Sequence, residues 1–158
     1  MKKWIFVLFF FRTINIFCQE FYDLLPVQSI TLEDIAEISI LQFSSVEAIE
    51  RLLNVGNINR FKNVLYLAIS VSVNNIVNSS VTRTTESDLP FRYRYIFINE
   101  QLEIGIREKC SFRYVYIPTH PDAILRGEQS GYVRFPNIDI FTEQQNIERI
   151  INILFKIK

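Results

Sequence analysis

Phe61–Ser80 reads FKNVLYLAISVSVNNIVNSS, with Phe61, Leu65, Ala68, Ile69, Ser72 and Ile76 one, three or four residues apart. A helix turn of 3.6 residues brings such positions onto one face, so the spacing predicts a long helix with one apolar stripe. Asn74, Asn75 and Asn78 stand beside that stripe at the point where helix must give way to extended chain. Their short amides can bond to backbone groups that would otherwise lack partners.

Outward from this stretch, the whole of Ser29 to Ser80 reads as helical. Thr31-Leu32-Glu33-Asp34 can cap a short helix through Ile38, and Ser44-Ser45-Val46-Glu47 has the Ser-x-x-Glu spacing of a capping box. Val46, Ile49, Leu52 and Leu53 share a face of the helix that follows, and Gly56 marks its end. Downstream the period changes to two. Phe91–Phe97, Leu102–Glu108 and Phe112–Tyr116 alternate as strands do, joined by Asn99-Glu100-Gln101 and Lys109-Cys110-Ser111, which are short enough for hairpin loops. A proline-broken loop, Pro118 to Gly131, precedes a last helix with Ile147, Ile150, Ile151 and Leu154 at i, i+3, i+4 and i+7. The expected fold class is α+β: N-terminal helices, a long helix, a β-meander of about three strands, and a C-terminal helix pairing with the long helix.

Composition excludes several chemistries. Seventeen Lys and Arg against seventeen Asp and Glu give no net charge with which to coat a polyanion. The glycines at 56, 105, 127 and 131 stand too far apart for a phosphate-cradling loop, and one His with two Cys cannot supply a four-ligand zinc site. No nucleophile, base and orienting group can be assembled, so no enzyme, cofactor or metal is expected. Arg92-Tyr93-Arg94-Tyr95 reads as an amphipathic strand rather than a clamp for single-stranded nucleic acid, and His120 as a loop-stabilising hydrogen-bond partner. Met1-Lys2-Lys3 before the apolar run Trp4–Phe11 has the pattern of a secretory signal. The run is far shorter than the roughly 20 apolar residues of a membrane span. Cleavage after Cys18 would leave no stable span and one thiol, Cys110, expected to be buried and inert.

Two stretches resemble a known family. Asn74–Thr84, with Asn-Asn-Ile at 74–76, Asn78 and Arg83-Thr84, is followed by Pro90-Phe91-Arg92; Pro118-Thr119-His120-Pro121-Asp122-Ala123-Ile124 is followed by Gly131-Tyr132-Val133-Arg134-Phe135-Pro136-Asn137-Ile138-Asp139 and Thr142-Glu143. Together they are similar, in order, to the N- and C-terminal signatures of the flagellar basal-body rod protein FlgC family, over about residues 61–145. The resemblance implies a structural protein that acts by assembly, with its terminal helices paired as a stem. Its implied partners are copies of itself and other rod and basal-body proteins, at a periplasmic location. Asn74, Asn75, Asn78, Thr82, Arg83, Pro121, Tyr132, Pro136 and Asn137 are the motif residues expected to carry assembly contacts.

The implied organisation is a signal peptide at 1–18, a helical extension at 19–59 and a rod-protein-like region at 60–158. Leu32–Val64 weakly resembles an exported helix-hairpin-helix unit of the ComEA-like kind, which makes a nucleic-acid-binding module the alternative function. Gln42-Phe43-Ser44-Ser45, where the hairpin would lie, holds no glycine whose N–H could approach a phosphate. A packing role is therefore expected for this segment, with nucleic acid an improbable partner.

Overall fold

A computed structural model describes residues 30–157, so the expected signal peptide and the first part of the extension lie outside the described residues. Along the chain come α1 (Leu32–Ala36), β1 (Leu41–Phe43), α2 (Val46–Leu52), a 3₁₀ turn (Val55–Asn57), α3 (Ile58–Val77), β2 (Tyr93–Ile98), β3 (Ile104–Lys109), β4 (Phe112–Tyr116), β5 (Tyr132–Pro136) and α4 (Ile140–Lys156). The class is α+β, with a long helix, a three-stranded sheet and a C-terminal helix packed on the long helix.

Local chemistry accounts for most helix ends. Thr31 closes a full capping box on α1: its hydroxyl accepts from the Asp34 N–H at 3.1 Å, and the Asp34 carboxylate accepts from the Thr31 N–H at 2.9 Å. The same two hydrogen bonds, with Lys156 nearby, hold the Asp34 carboxyl below its ordinary value. At α2 the cap falls one residue later than the Ser44-x-x-Glu47 spacing suggests: Ser45 accepts from the Ala48 N–H. At α4, Asp139 accepts from the Phe141 N–H and the Thr142 hydroxyl.

The sheet has three strands, but their membership differs from the expected meander. Its order is β1-β2-β3, with Leu41–Phe43 parallel to Ile96–Ile98 and β3 antiparallel to β2 from Tyr93↔Lys109 to Ile98↔Ile104. Thus a stretch read as part of a helical region supplies a strand. β4 leaves this sheet and pairs with β5 instead, from Phe112↔Pro136 to Tyr116↔Tyr132. The two-residue link Cys110-Ser111 explains why. A two-residue hairpin needs positive φ at its centre, which Gly or Asn supplies; among the described non-glycine residues only Leu102 has it. The link therefore carries the chain onward, and Cys110 is exposed rather than buried.

One apolar core joins the N-terminal and C-terminal parts. Ile35, Ile38, Ile40 and Leu52 meet Phe61, Leu65 and Ala68 of α3, Ile96 and Ile98 of β2, and Ile150 and Ile153 of α4. The expected division at 59/60 runs through this core. On α4 the buried face is Glu143, Asn146, Ile150 and Ile153, so Ile151, expected inside, is 40% exposed. Ile150 is fully buried, and Ile150→Ala is expected to cost about 2–5 kcal/mol, read as a lower midpoint in urea unfolding.

Candidate functional site

A buried polar cluster lies where α3, α4 and β2 meet. Asn75, on the inner face of α3 and fully buried, donates from Nδ2 to the Arg94 carbonyl (2.8 Å) and accepts at Oδ1 from the Arg94 N–H (3.1 Å). Its side chain thus pairs with β2 as a neighbouring strand would. The same Nδ2 donates to Glu143 Oε2 at 3.3 Å. Asn75 is near the C-terminal end of α3 and Glu143 in the first turn of α4, so the two helices run antiparallel.

Glu143 is 2% exposed. Burial pushes its carboxyl above the ordinary value of 4.5, the nearby Asp139 charge adds to that, and the Ser72, Asn75 and Tyr93 side chains partly offset it. The Ser72 hydroxyl is buried and faces the carboxyl without forming a well-directed hydrogen bond. Burial first, and then the Glu143 charge, raise the Tyr93 phenol well above its ordinary value of 10.0. Beside this cluster an open cleft of about 180 Å³ is lined by Tyr93, Lys109, Ser111, Asn137, Asp139, Thr142 and Glu143. One turn along α4, Asn146 exchanges hydrogen bonds with Ser39: it accepts from the Ser39 N–H at 3.0 Å and donates to Ser39 Oγ at 3.1 Å.

A second tie joins the two motif stretches. The Thr82 hydroxyl donates to Asp122 Oδ2 at 2.6 Å, and the Arg83 guanidinium pairs with Asp122 Oδ1. His120 Nδ1 accepts from the Asp122 N–H at 3.0 Å, and Pro121 between them restricts φ, so the carboxylate is held by its own loop. The described chain therefore clasps residues 82–83 to a loop forty positions away.

The other motif residues are more scattered. Asn78 caps α3, its N–H and Nδ2 both donating to the Asn74 carbonyl, at 3.1 and 2.8 Å. The Asn74 side chain is exposed, and nothing in the structure explains its identity. Pro136 is buried at the end of β5. Asn137 ties that end to the start of β4 through Ser111, N–H to carbonyl at 3.0 Å and Nδ2 to Oγ at 3.1 Å. Tyr132 packs edge-on against Tyr116 at 5.2 Å between ring centroids. Gly131 beside it has φ 83, and a Cβ there would stand 2.6 Å from the Tyr116 ring.

Sequence reasoning singled out Asn75, Thr82 and Arg83 but not the side chains they bond, Glu143 and Asp122, nor Tyr93 and the Ser39–Asn146 pair nearby. Glu143 and Asn146 stand three and four residues apart in line with Ile150, so a polar interruption of the apolar stripe was the available signal. Among the described residues no group of His, Cys, Asp or Glu is placed to hold a metal ion.

No protein-family model matches the sequence. The chain is 32% identical over 100 residues to the flagellar basal-body rod protein FlgC of Borreliella burgdorferi, a match covering 49% of this chain and 66% of that protein. It is related to a flagellar rod protein. The match spans just under two thirds of the relative's length, and the relative is a structural part rather than an enzyme.

Glu143→Gln keeps an acceptor for Asn75 and removes the ionisation. A raised folded-state pKa means stabilisation that is full below the unfolded value and lost as pH rises through the folded one. Relative to the variant, the thermal midpoint of the wild type is therefore expected to fall as pH rises from the ordinary carboxyl range through the raised folded value; a gap that does not change with pH would contradict this. Asp122→Ala releases both Thr82 and Arg83. The expected cost is about 1–3 kcal/mol, with faster proteolysis in the segment between α3 and β2.

Proposed function

We propose that this chain is a structural component of the bacterial flagellar basal-body (proximal) rod, or a divergent derivative of one, acting by packing with copies of itself and with other rod and basal-body proteins. The observation that carries the proposal is the 32% identity to the rod protein FlgC. The fold supports it: the termini of the described chain are brought together as helices sharing one core, and the motif stretches are tied to each other through Asp122 rather than around a reaction centre. Asn74, Asn75, Asn78, Thr82, Arg83, Pro121, Tyr132, Pro136 and Asn137 serve in this reading as the framework that shapes the assembly surfaces. Export behind a signal at 1–18 and a periplasmic place in the basal body belong to the same proposal, with 60–158 as its rod-protein-like part and 19–59 as an extension to it.

The nucleic-acid alternative gains nothing from the N-terminal part. Between α1 and α2 stands strand β1 in the sheet, not a tight hairpin. Residues 30–57 carry Glu33, Asp34, Glu37, Glu47 and Glu50 against the single base Arg51, the wrong sign for phosphates.

Deletion of the gene tests the reading. Loss of motility, with rods that lack this chain or fail to form, is the expected result, and a complementing copy should return the chain to purified basal bodies. Normal swimming together with basal bodies of unchanged composition would overturn it.

A further inference from the structure

Away from its base, the β4–β5 ribbon has one covered face and one bare face. Directly opposed residues share a face and successive residues alternate, so Arg113, Val115, Val133 and Phe135 lie on one side and Tyr114, Tyr116, Tyr132 and Arg134 on the other, which ends at the base in half-buried Phe112 and buried Pro136. On the first side Val133 is fully buried, and His120 from the 117–131 loop packs edge-on against Phe135. On the second side Tyr114, Tyr116 and Tyr132 are 43%, 62% and 37% exposed. Arg134 stands among them with no acidic partner among the described residues. Three tyrosines and an arginine on one face are the residue types enriched at the centres of protein interfaces.

The complementary chemistry sits at the other end of the same molecule. Val46, Glu47 and Glu50 share an exposed face of α2, and Leu32 and Glu33 are exposed on α1, the helix that α2 contacts. None of these three glutamates has an ion-pair partner among the described residues. β5 runs directly into the N-terminal end of α4, whereas α1 is tied to the far half of that helix by Lys156–Asp34 (3.4 Å) and Arg149–Glu37 (3.3 Å). α4 has 17 residues, about 25 Å of helix, so the two patches of one molecule stand too far apart to meet each other.

We propose that the tyrosine–arginine face of the β4–β5 ribbon docks onto the acidic, apolar α1–α2 end of a second copy of this chain. The inference rests on the assembly reading above and names its surface. Because the two patches differ, each copy keeps one of each kind free after pairing. The contact is head-to-tail and propagates into a row rather than closing as a two-fold dimer. Its charged part makes it sensitive to salt.

Sedimentation of the full chain over a range of concentration and salt tests this. The wild type is expected to form species that grow with concentration and shrink as salt rises. Arg134→Glu, and separately the pair Glu47→Arg with Glu50→Arg, should each weaken association about tenfold, as should Tyr114→Ser. A chain carrying all three charge reversals should associate again. An equimolar mixture of the Arg134→Glu chain with the doubly reversed chain should also associate again, as a row in which the two chains alternate, since the reversed ribbon fits the reversed end and the unchanged ribbon fits the unchanged end. Glu47, Glu50 and Tyr114 are exposed and Arg134 is half-buried without an acidic partner among the described residues, so circular dichroism and the thermal midpoint should match the wild type and show that weakened association is not unfolding. A monomeric wild type, or variants that associate as it does, would overturn the proposal. If the variants associate normally while the deletion strain lacks rods, this surface is wrong and the rod reading stands. If the charge pairs behave as expected while the deletion strain swims, the self-contact stands and the rod reading falls.

Discussion

A single buried amide, that of Asn75, is shared among three elements whose apolar core holds them together without fixing their register, because burial of apolar surface is non-directional. β1 is only three residues long and reaches β2 no further than Ile96, whose N–H donates to the Ile40 carbonyl at 2.9 Å. On that edge of β2 the Arg94 N–H and carbonyl would lack partners, and buried backbone groups without partners are costly. The Asn75 side chain supplies both a donor and an acceptor in place of the missing strand. It also donates to Glu143, so the position of β2 on α3 and the position of α4 on α3 are set by the same group. An apolar residue at 75 would suit the helix stripe and leave the strand end and the carboxylate unsatisfied.

Polar ties of this kind organise the region between the helices. Asp122 holds Thr82 and Arg83, Asn137 holds Ser111, and Asn146 holds Ser39. The apolar core, by contrast, is made of α1, β1, α2, α3, β2, β3 and α4; of the ribbon, Val133 is fully buried but lies outside that cluster. The ribbon is therefore attached by a few directed bonds at its base and keeps a bare aromatic face. A structural role in assembly fits that division of labour: a packed body fixes the frame, and a tied appendage presents a surface.

Much of the architecture was legible in local patterns. The stripe of α3, the capping chemistry of Thr31 and the β2–β3 alternation each follow from residues close in sequence. Other features were not. Ile40-Leu41-Gln42-Phe43 holds no strand signal of its own against flanking helical patterns, and it is a strand because β2 offers it an edge. α4 presents a buried face rotated from the one its isoleucines suggest, because Glu143 and Asn146 bond to Asn75 and Ser39 and draw their own side inward. Asp122, two residues from His120 in the chain, is the partner of Arg83. In each case the deciding group lies many residues away along the chain.

The sequence by itself determined the α+β class, the long helix and its closing counterpart, and the motif stretches that relate the chain to a rod protein, because these depend on periodicity, capping and residue identity within a few positions. Only the tertiary structure decided which strands share a sheet, which side of α4 is buried, and that residues 82–83 are clasped to 122. Those outcomes rest on which backbone edges and buried polar groups would otherwise go unpaired, and an unpaired group finds its partner by proximity in space, which no local pattern encodes.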